Sequence, residues 1–176
     1  ISLANHHPRV SILMPGIGVG GHCIPVDPWF LKEVDPDHTR LIQAARRIND
    51  EQPSRTTARI REALRDIRQG RLVALGAAYK PETYDVRESP AIHIVETLRR
   101  DGYQVDQYDP LVPGLGYDDL TEVVSGAAAV LLLVEHRAVL EDLEKARAAG
   151  ALDNVRVLRF YPGRADLAGD LAGPLT

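Results

Sequence analysis

The sequence predicts an α/β protein, a Rossmann-like, doubly wound parallel sheet preceded by a glycine-rich loop and a helical connector. Three observations carry this expectation. Short apolar runs of strand length recur after Gly70. Helix-length amphipathic stretches separate them, and such alternation implies parallel strands with helices on both faces. Before Gly70 the rhythm differs: residues 1–36 are rich in Gly, Pro and His, and a helical period runs from His38 to about Arg68.

Residues 1–36 show little helical or strand period, and long loops of this kind tend to carry function. In the connector, residues 37–69, Leu41, Ala44, Ala45 and Ile48 share a helical face that Ile60, Ala63, Leu64 and Ile67 repeat. Pro53 interrupts it, predicting a kinked helix or two consecutive ones. Arg46, Arg47, Arg61, Glu62 and Arg65 are expected on outer, solvated faces. The sheet then occupies residues 70–165. Strands are expected at Leu72 to Gly76, Tyr103 to Tyr108, Val130 to Val134 and Val155 to Phe160. Helices are expected at Ser89 to Arg100, with Ser89 as N-cap and Pro90 in the first turn, at Asp118 to Ser125 and at His136 to Ala149. A weakly structured tail is expected over residues 166–176.

Bulk properties narrow the function classes. A net charge of −4 offers no basic face for nucleic acid or anionic lipid. The longest apolar run, Ala127 to Val134, is too short to span a bilayer. One cysteine cannot form an intramolecular disulfide, so a reducing cytoplasm is the expected compartment. The chain opens on Ile1 without Met or a basic leader, as expected of a fragment or a processed product.

The most informative segment is Pro15-Gly16-Ile17-Gly18-Val19-Gly20-Gly21-His22-Cys23-Ile24-Pro25-Val26-Asp27-Pro28. Glycines let a backbone approach a ligand without a Cβ in the way, so the run reads as a loop around a small molecule with a thiol at its end. Gly16, Gly18 and Gly21 are not a dinucleotide fingerprint, because no adequate strand precedes them and Pro25 and Pro28 follow. Residue type alone leaves Cys23 open between a small buried hydrophobe and a nucleophile. Asp27 is open between a helix N-cap and an acid/base group sharing a helical turn with Cys23. His6, His7, His22 and Cys23 match no usual zinc spacing, so no metal is expected. Further on, Tyr79-Lys80-Pro81 and Asp85-Val86-Arg87-Glu88-Ser89-Pro90 lie between a strand and a helix start, where doubly wound sheets bind ligands. Lys80 and Arg87 read either as phosphate ligands or as a solvated cation and an ion pair with Asp85 or Glu88.

Both segments resemble the UDP-glucose/GDP-mannose dehydrogenase family. Gly20-Gly21-His22-Cys23 running to Val26-Asp27-Pro28, after His7-Pro8-Arg9, is similar to its active-site loop, in the form found in members acting on UDP-N-acetyl-mannosamine. Gly76 through Tyr79-Lys80, Asp85, Arg87 and Ser89-Pro90 is similar to its UDP-binding domain, as is Asp109-Pro110. The resemblance covers residues 1–155. It implies two-step oxidation of a sugar C6 alcohol to the uronate by NAD, through a cysteine thiohemiacetal and thioester. It implies Cys23 as nucleophile, Asp27 as the acid/base that prepares water, Arg9, Gly20, Tyr79 and Lys80 as substrate-binding residues, and Arg87 as a cofactor-binding residue. UDP-sugar is the implied partner and a homodimer the implied complete assembly.

Departures from the family pattern qualify this. The NAD-binding Rossmann domain and most of the long connecting helix, with the family's lysine and asparagine, have no counterpart in this sequence, so activity of this chain alone is not expected. Met14 stands where UDP-glucose dehydrogenases carry a lysine, which favours an N-acetylated UDP-hexosamine. Arg159 and Arg164 compete for the arginine that closes the site. A non-catalytic UDP-sugar-binding remnant and a UDP-glucose or GDP-mannose 6-dehydrogenase are the alternatives.

Overall fold

Residues 1, 3–10, 12–67 and 70–160 are described by the structure, a computed structural model. Four strands, β1 (Leu72–Leu75), β2 (Val105–Tyr108), β3 (Ala129–Leu132) and β4 (Arg156–Arg159), form a parallel sheet in the order β2-β1-β3-β4. Leu72 pairs with Val105 on one side and Ala129 on the other, and Ala129 with Arg156. Parallel neighbours need crossovers, and three helices supply them: α4 (Pro90–Arg100), α5 (Leu120–Val124) and α6 (Arg137–Ala148). Three more, α1 (Asp27–Val34), α2 (Arg40–Asp50) and α3 (Gln52–Ala63), precede the sheet.

Strand period divides the core into two layers. Leu72, Ala74, Ala129 and Leu131 pack with Ile60, Leu64, Ile94 and Leu98 of the α3–α4 side. Val73, Leu75, Val130 and Leu132 pack with Val124, Val139 and Leu143 of the α5–α6 side. Burial of both faces explains why β1 and β3 are apolar at every position. Each such Leu, Ile or Val stabilises the fold by roughly 1.5–3 kcal/mol. Gly76 follows β1 with φ +98, and a methyl group there would overlap Val134, so only glycine lets the chain leave the sheet at this point.

The expected sheet and its helices are present, with ends shifted by a few residues. Pro53 falls in the first turn of α3, giving two consecutive helices. Ser89 holds the N-cap position of α4 with extended backbone, but its Oγ donates to the Ala78 carbonyl (3.3 Å) rather than accepting from the helix.

Other expectations need correction. Residues 1–36 are not all loop, because α1 grows from the turn after Cys23; Pro28 starts it, and its short length hid the helical period. Arg46 is buried at 8% exposure and paired with Asp50, whereas Leu41 and Ile48 are 83% and 55% exposed. The apolar stripe of α2 turns away from the core because Arg46 and Asn49 are the side chains facing inward. The expected tail, with Arg164, lies outside the described residues.

One buried carboxylate ties the loops together at the C-terminal edge of the sheet. Asp109, after β2, accepts N–H groups of Ala77 (2.7 Å) and Ala78 (3.1 Å) from the loop after β1, and of Leu111 (2.9 Å) from its own. His136, at the start of α6, lies 3.0 Å from the same carboxylate. His136 Nδ1 accepts the Glu82 N–H (3.0 Å), so the ring proton sits on Nε2 and is donated to Asp109. Glu82 Oε1 in turn accepts the Arg137 N–H (2.7 Å). Asp109 and His136 are both inaccessible to solvent.

Burial alone would raise the Asp109 pKa, but the His136 contact and the three N–H groups outweigh it and lower it from 3.8 to about 2. The folded state therefore favours the carboxylate. The resulting stability, about 2 kcal/mol, is present above pH ~4 and lost as pH falls towards 2. Urea unfolding across this range should show wild type losing about 2 kcal/mol relative to Asp109→Asn, and the variant less stable than wild type at neutral pH. Parallel pH curves for the two proteins would contradict this role.

Candidate functional site

The sheet reverses its winding between β1 and β3: from β1 the chain crosses to β2 on one side, and β3 lies on the other. Doubly wound sheets bind ligands in the crevice outside the strand ends at this switch point. A cavity of about 720 Å³ opens there. Tyr79, Lys80 and Pro81, from the loop after β1, form one wall, and Glu135, after β3, closes another. The far side comes from the glycine run, including Gly16, Gly18 and Gly20. Leu13, Met14, Ile24, Ala45 and Ile48 add an apolar wall, so the exposed stripe of α2 faces this space.

Two interactions hold the glycine run in place. Asn49 of α2 pairs with the Val19 backbone through both ends of its amide, accepting the N–H (2.7 Å) and donating to the carbonyl (3.1 Å). The Gly21 N–H donates to the Arg87 carbonyl (3.0 Å). Gly20 passes so close to the second loop that a methyl group would overlap the Glu88 carbonyl oxygen and lie 3.0 Å from Tyr79 Cβ. The two sequence signatures, about 55 residues apart in the chain, are thus in direct contact.

Cys23 is exposed, between Gly20 and Ile24, which both line the cavity. Its Sγ lies 3.0 Å from His22 Nδ1. The Asp27 N–H donates to the Cys23 carbonyl (2.8 Å), so the two residues share a helical turn as their spacing requires. Val26, not Asp27, holds the N-cap position of α1, which has no side-chain cap bond. Asp27 is exposed, leaving its carboxylate accessible.

Lys80 Nζ lies 5.5 Å from the Tyr79 ring centroid, a cation over an aromatic face beside the cavity. Arg87 is 62% exposed and chelates Asp85, with Nη2 2.6 Å and Nε 3.0 Å from the carboxylate. This bond holds the Asp85 carboxyl well below its usual range, at about 2, and raises the Arg87 pKa further. Arg9 is exposed and does not line the cavity; its backbone N–H donates to His7 Nδ1 (3.2 Å). Arg159, at the end of β4, is held by Glu135 (2.6 and 2.8 Å), which lines the cavity in its place.

Four residues of this region carry no functional signal in the sequence: Asn49, Glu82, Glu135 and His136. Their types carry no motif, and only the fold shows what they hold. Among the described residues no group of three or more His, Cys, Asp or Glu is arranged to hold a metal ion. Among the described residues the NAD implied by the resemblance finds no dinucleotide-binding turn. The turn after β1 lacks the glycine fingerprint, and α4 begins only after a long loop, so the strand–turn–helix of a dinucleotide fingerprint is not formed there.

A family model described as the UDP-glucose/GDP-mannose dehydrogenase family, UDP binding domain, matches residues 73–159, and its central-domain counterpart matches residues 1–51. UDP-N-acetyl-D-mannosamine dehydrogenase of Campylobacter jejuni is 38% identical over 152 residues, covering 80% of this chain and 37% of that protein. NDP-N-acetyl-D-galactosaminuronic acid dehydrogenase of Ralstonia nicotianae is 40% identical over 145 residues, with 78% and 34% covered. The solved structure of UDP-D-ManNAc dehydrogenase from Pyrococcus horikoshii superposes with a TM-score of 0.78 at 35% identity, covering 97% of this chain and 42% of that one. The chain thus spans about a third of the length of the curated relatives it matches. Two models of one family, matched in their order along most of the chain, give the assignment: the chain belongs to the UDP-glucose/GDP-mannose dehydrogenase family.

Proposed function

We propose that this chain supplies the thiol loop and the nucleotide-binding half of a 6-dehydrogenase that oxidises UDP-N-acetyl-mannosamine, or a related UDP-hexosamine, to the uronate. The observation that carries the proposal is the shared cavity, whose walls bring the glycine run before Cys23 against the Tyr79–Lys80 loop. Lys80 supplies charge for the diphosphate, and the Tyr79 ring gives a flat surface beside it. Gly20, which lines the cavity, and Arg9 are further substrate contacts in this reading. The apolar wall of Leu13, Met14, Ile24 and Ile48 suits an N-acetyl methyl group.

Cys23 is the nucleophile. Its sulfur adds to the C6 aldehyde carbon as a thiohemiacetal, the species from which an acyl thioester derives. Asp27, one turn along and exposed, prepares the water that cleaves the thioester. NAD is the hydride acceptor this reading requires, with Arg87 as the cation offered to it; no step through it is assigned to this chain. The reading includes a cytoplasmic, homodimeric complete protein. Among the described residues no helix is long and apolar enough to cross a membrane.

Isothermal titration of this chain with UDP should show saturable binding, weakened about tenfold or more by Lys80→Ala, the loss expected for one charge-assisted contact. A chain that binds neither UDP nor UDP-N-acetyl-mannosamine would remove the basis of the proposal. In the complete enzyme, Cys23→Ser should abolish uronate formation and leave UDP-sugar affinity within about twofold, since it removes covalent chemistry and not binding. Uronate formation by that variant at the wild-type rate would exclude the nucleophile.

A further inference from the structure

We infer that His22 is the proton acceptor for the Cys23 thiol. The inference rests on the nucleophile reading above and adds to it the group that makes the thiol reactive. A thiol is a poor nucleophile and a thiolate a strong one, so a catalytic cysteine needs a base within hydrogen-bond reach. His22 Nδ1 is that group in the structure, 3.0 Å from Sγ.

Neighbouring residues along a chain seldom aim their side chains at the same point, so the local backbone has to arrange this contact. Gly21 does so with φ +99, folding the chain between the Gly21–Arg87 hydrogen bond and the turn that follows Cys23. The next turn is closed by the Val26 and Asp27 N–H groups on the Cys23 carbonyl, 3.0 and 2.8 Å. Both His22 and Cys23 are thus anchored on either side while their side chains remain exposed.

An ion pair borders the two side chains. Asp85, whose carboxyl is lowered chiefly by its Arg87 hydrogen bond, also feels the charge of His22, so this carboxylate lies near the imidazole. Arg87, raised chiefly by its Asp85 hydrogen bond, also feels the charges of Tyr79 and Cys23, so its guanidinium lies near the sulfur. Asp27, on the same turn as Cys23, is the other ionisable group of this segment. The Gly21–Arg87 hydrogen bond thus sets the Asp85–Arg87 ion pair beside the His22–Cys23 turn.

The step balances without any further reactant. The thiol proton moves to Nδ1, leaving a thiolate and an imidazolium with the proton on Nδ1. The sulfur lone pair forms the C–S bond to the aldehyde carbon as the C=O π bond opens onto oxygen. Nδ1–H returns its proton to that oxygen, giving the neutral thiohemiacetal and a neutral imidazole ready for the next turnover.

The test compares this chain with its His22→Gln variant, in which the amide keeps hydrogen-bonding capacity but cannot take a proton at neutral pH. Iodoacetamide alkylation of Cys23 and far-ultraviolet thiolate absorbance are followed against pH. Wild type should alkylate about tenfold faster at neutral pH, and its thiolate should form at lower pH than in the variant. In the complete enzyme, His22→Gln should lower kcat for uronate formation about tenfold or more with KM for the UDP-sugar within about twofold, and move the acidic limb of the pH profile upward. Superposable alkylation and absorbance curves overturn the assignment. Loss of uronate formation in Cys23→Ser together with superposable curves leaves the nucleophile intact and removes His22 alone. Full uronate formation by Cys23→Ser removes the nucleophile and His22 with it.

Discussion

The approach of the Gly20–Gly21 backbone to the 79–88 loop sets the position of nearly every group around the cavity. Any side chain at Gly20 would overlap the Glu88 carbonyl, and the Gly21 N–H is spent on Arg87. Backbone contact of this kind is stiff, because no rotamer change can relieve it. It brings the thiol-bearing turn within the electrostatic reach of Asp85 and Arg87, although about 60 residues separate them in sequence. Asn49 holds the run at this register, since its amide matches both backbone groups of Val19.

The opposite wall depends on a second constraint. Tyr79 and Lys80 sit on a long loop that would be loose on its own, and the Asp109–His136 pair holds its start and its middle. A buried carboxylate satisfied by three backbone donors and an imidazole is costly to disturb, because each freed donor would lose its partner out of reach of water. The cavity is therefore built between two rigid edges, one defined by glycine packing and the other by a buried polar network.

The sheet was legible because strand and helix periods alternate cleanly, and apolar positions at β1 and β3 announce burial on both faces. Pro53 and the Ser89-Pro90 pair marked helix starts for a local steric reason that does not depend on the rest of the fold. The glycine–cysteine run and the Tyr79-Lys80 segment were legible as chemistry. Their mutual contact was not, because it depends on how the connector folds back. The misplaced faces of α2 have the same origin: periodicity identifies an apolar stripe but not what it meets, and here Ala45 and Ile48 meet a cavity while Arg46 turns inward. Asn49, Glu82 and His136 carried no local signal, since an amide, a carboxylate and an imidazole read as surface residues until their partners are known. Ser89 was assigned the right place and the wrong bond, its hydroxyl serving the Ala78 carbonyl instead of the helix end.

If the glycine run and the 79–88 loop are two walls of one site, a single ligand must quiet both. Hydrogen–deuterium exchange of this chain with and without UDP-N-acetyl-mannosamine tests this most directly, because it reads each segment separately. The account predicts slower exchange in the segments 15–24 and 79–89 at the same ligand concentration, with one apparent affinity. Protection confined to one segment, or saturating at different concentrations in the two, would contradict it.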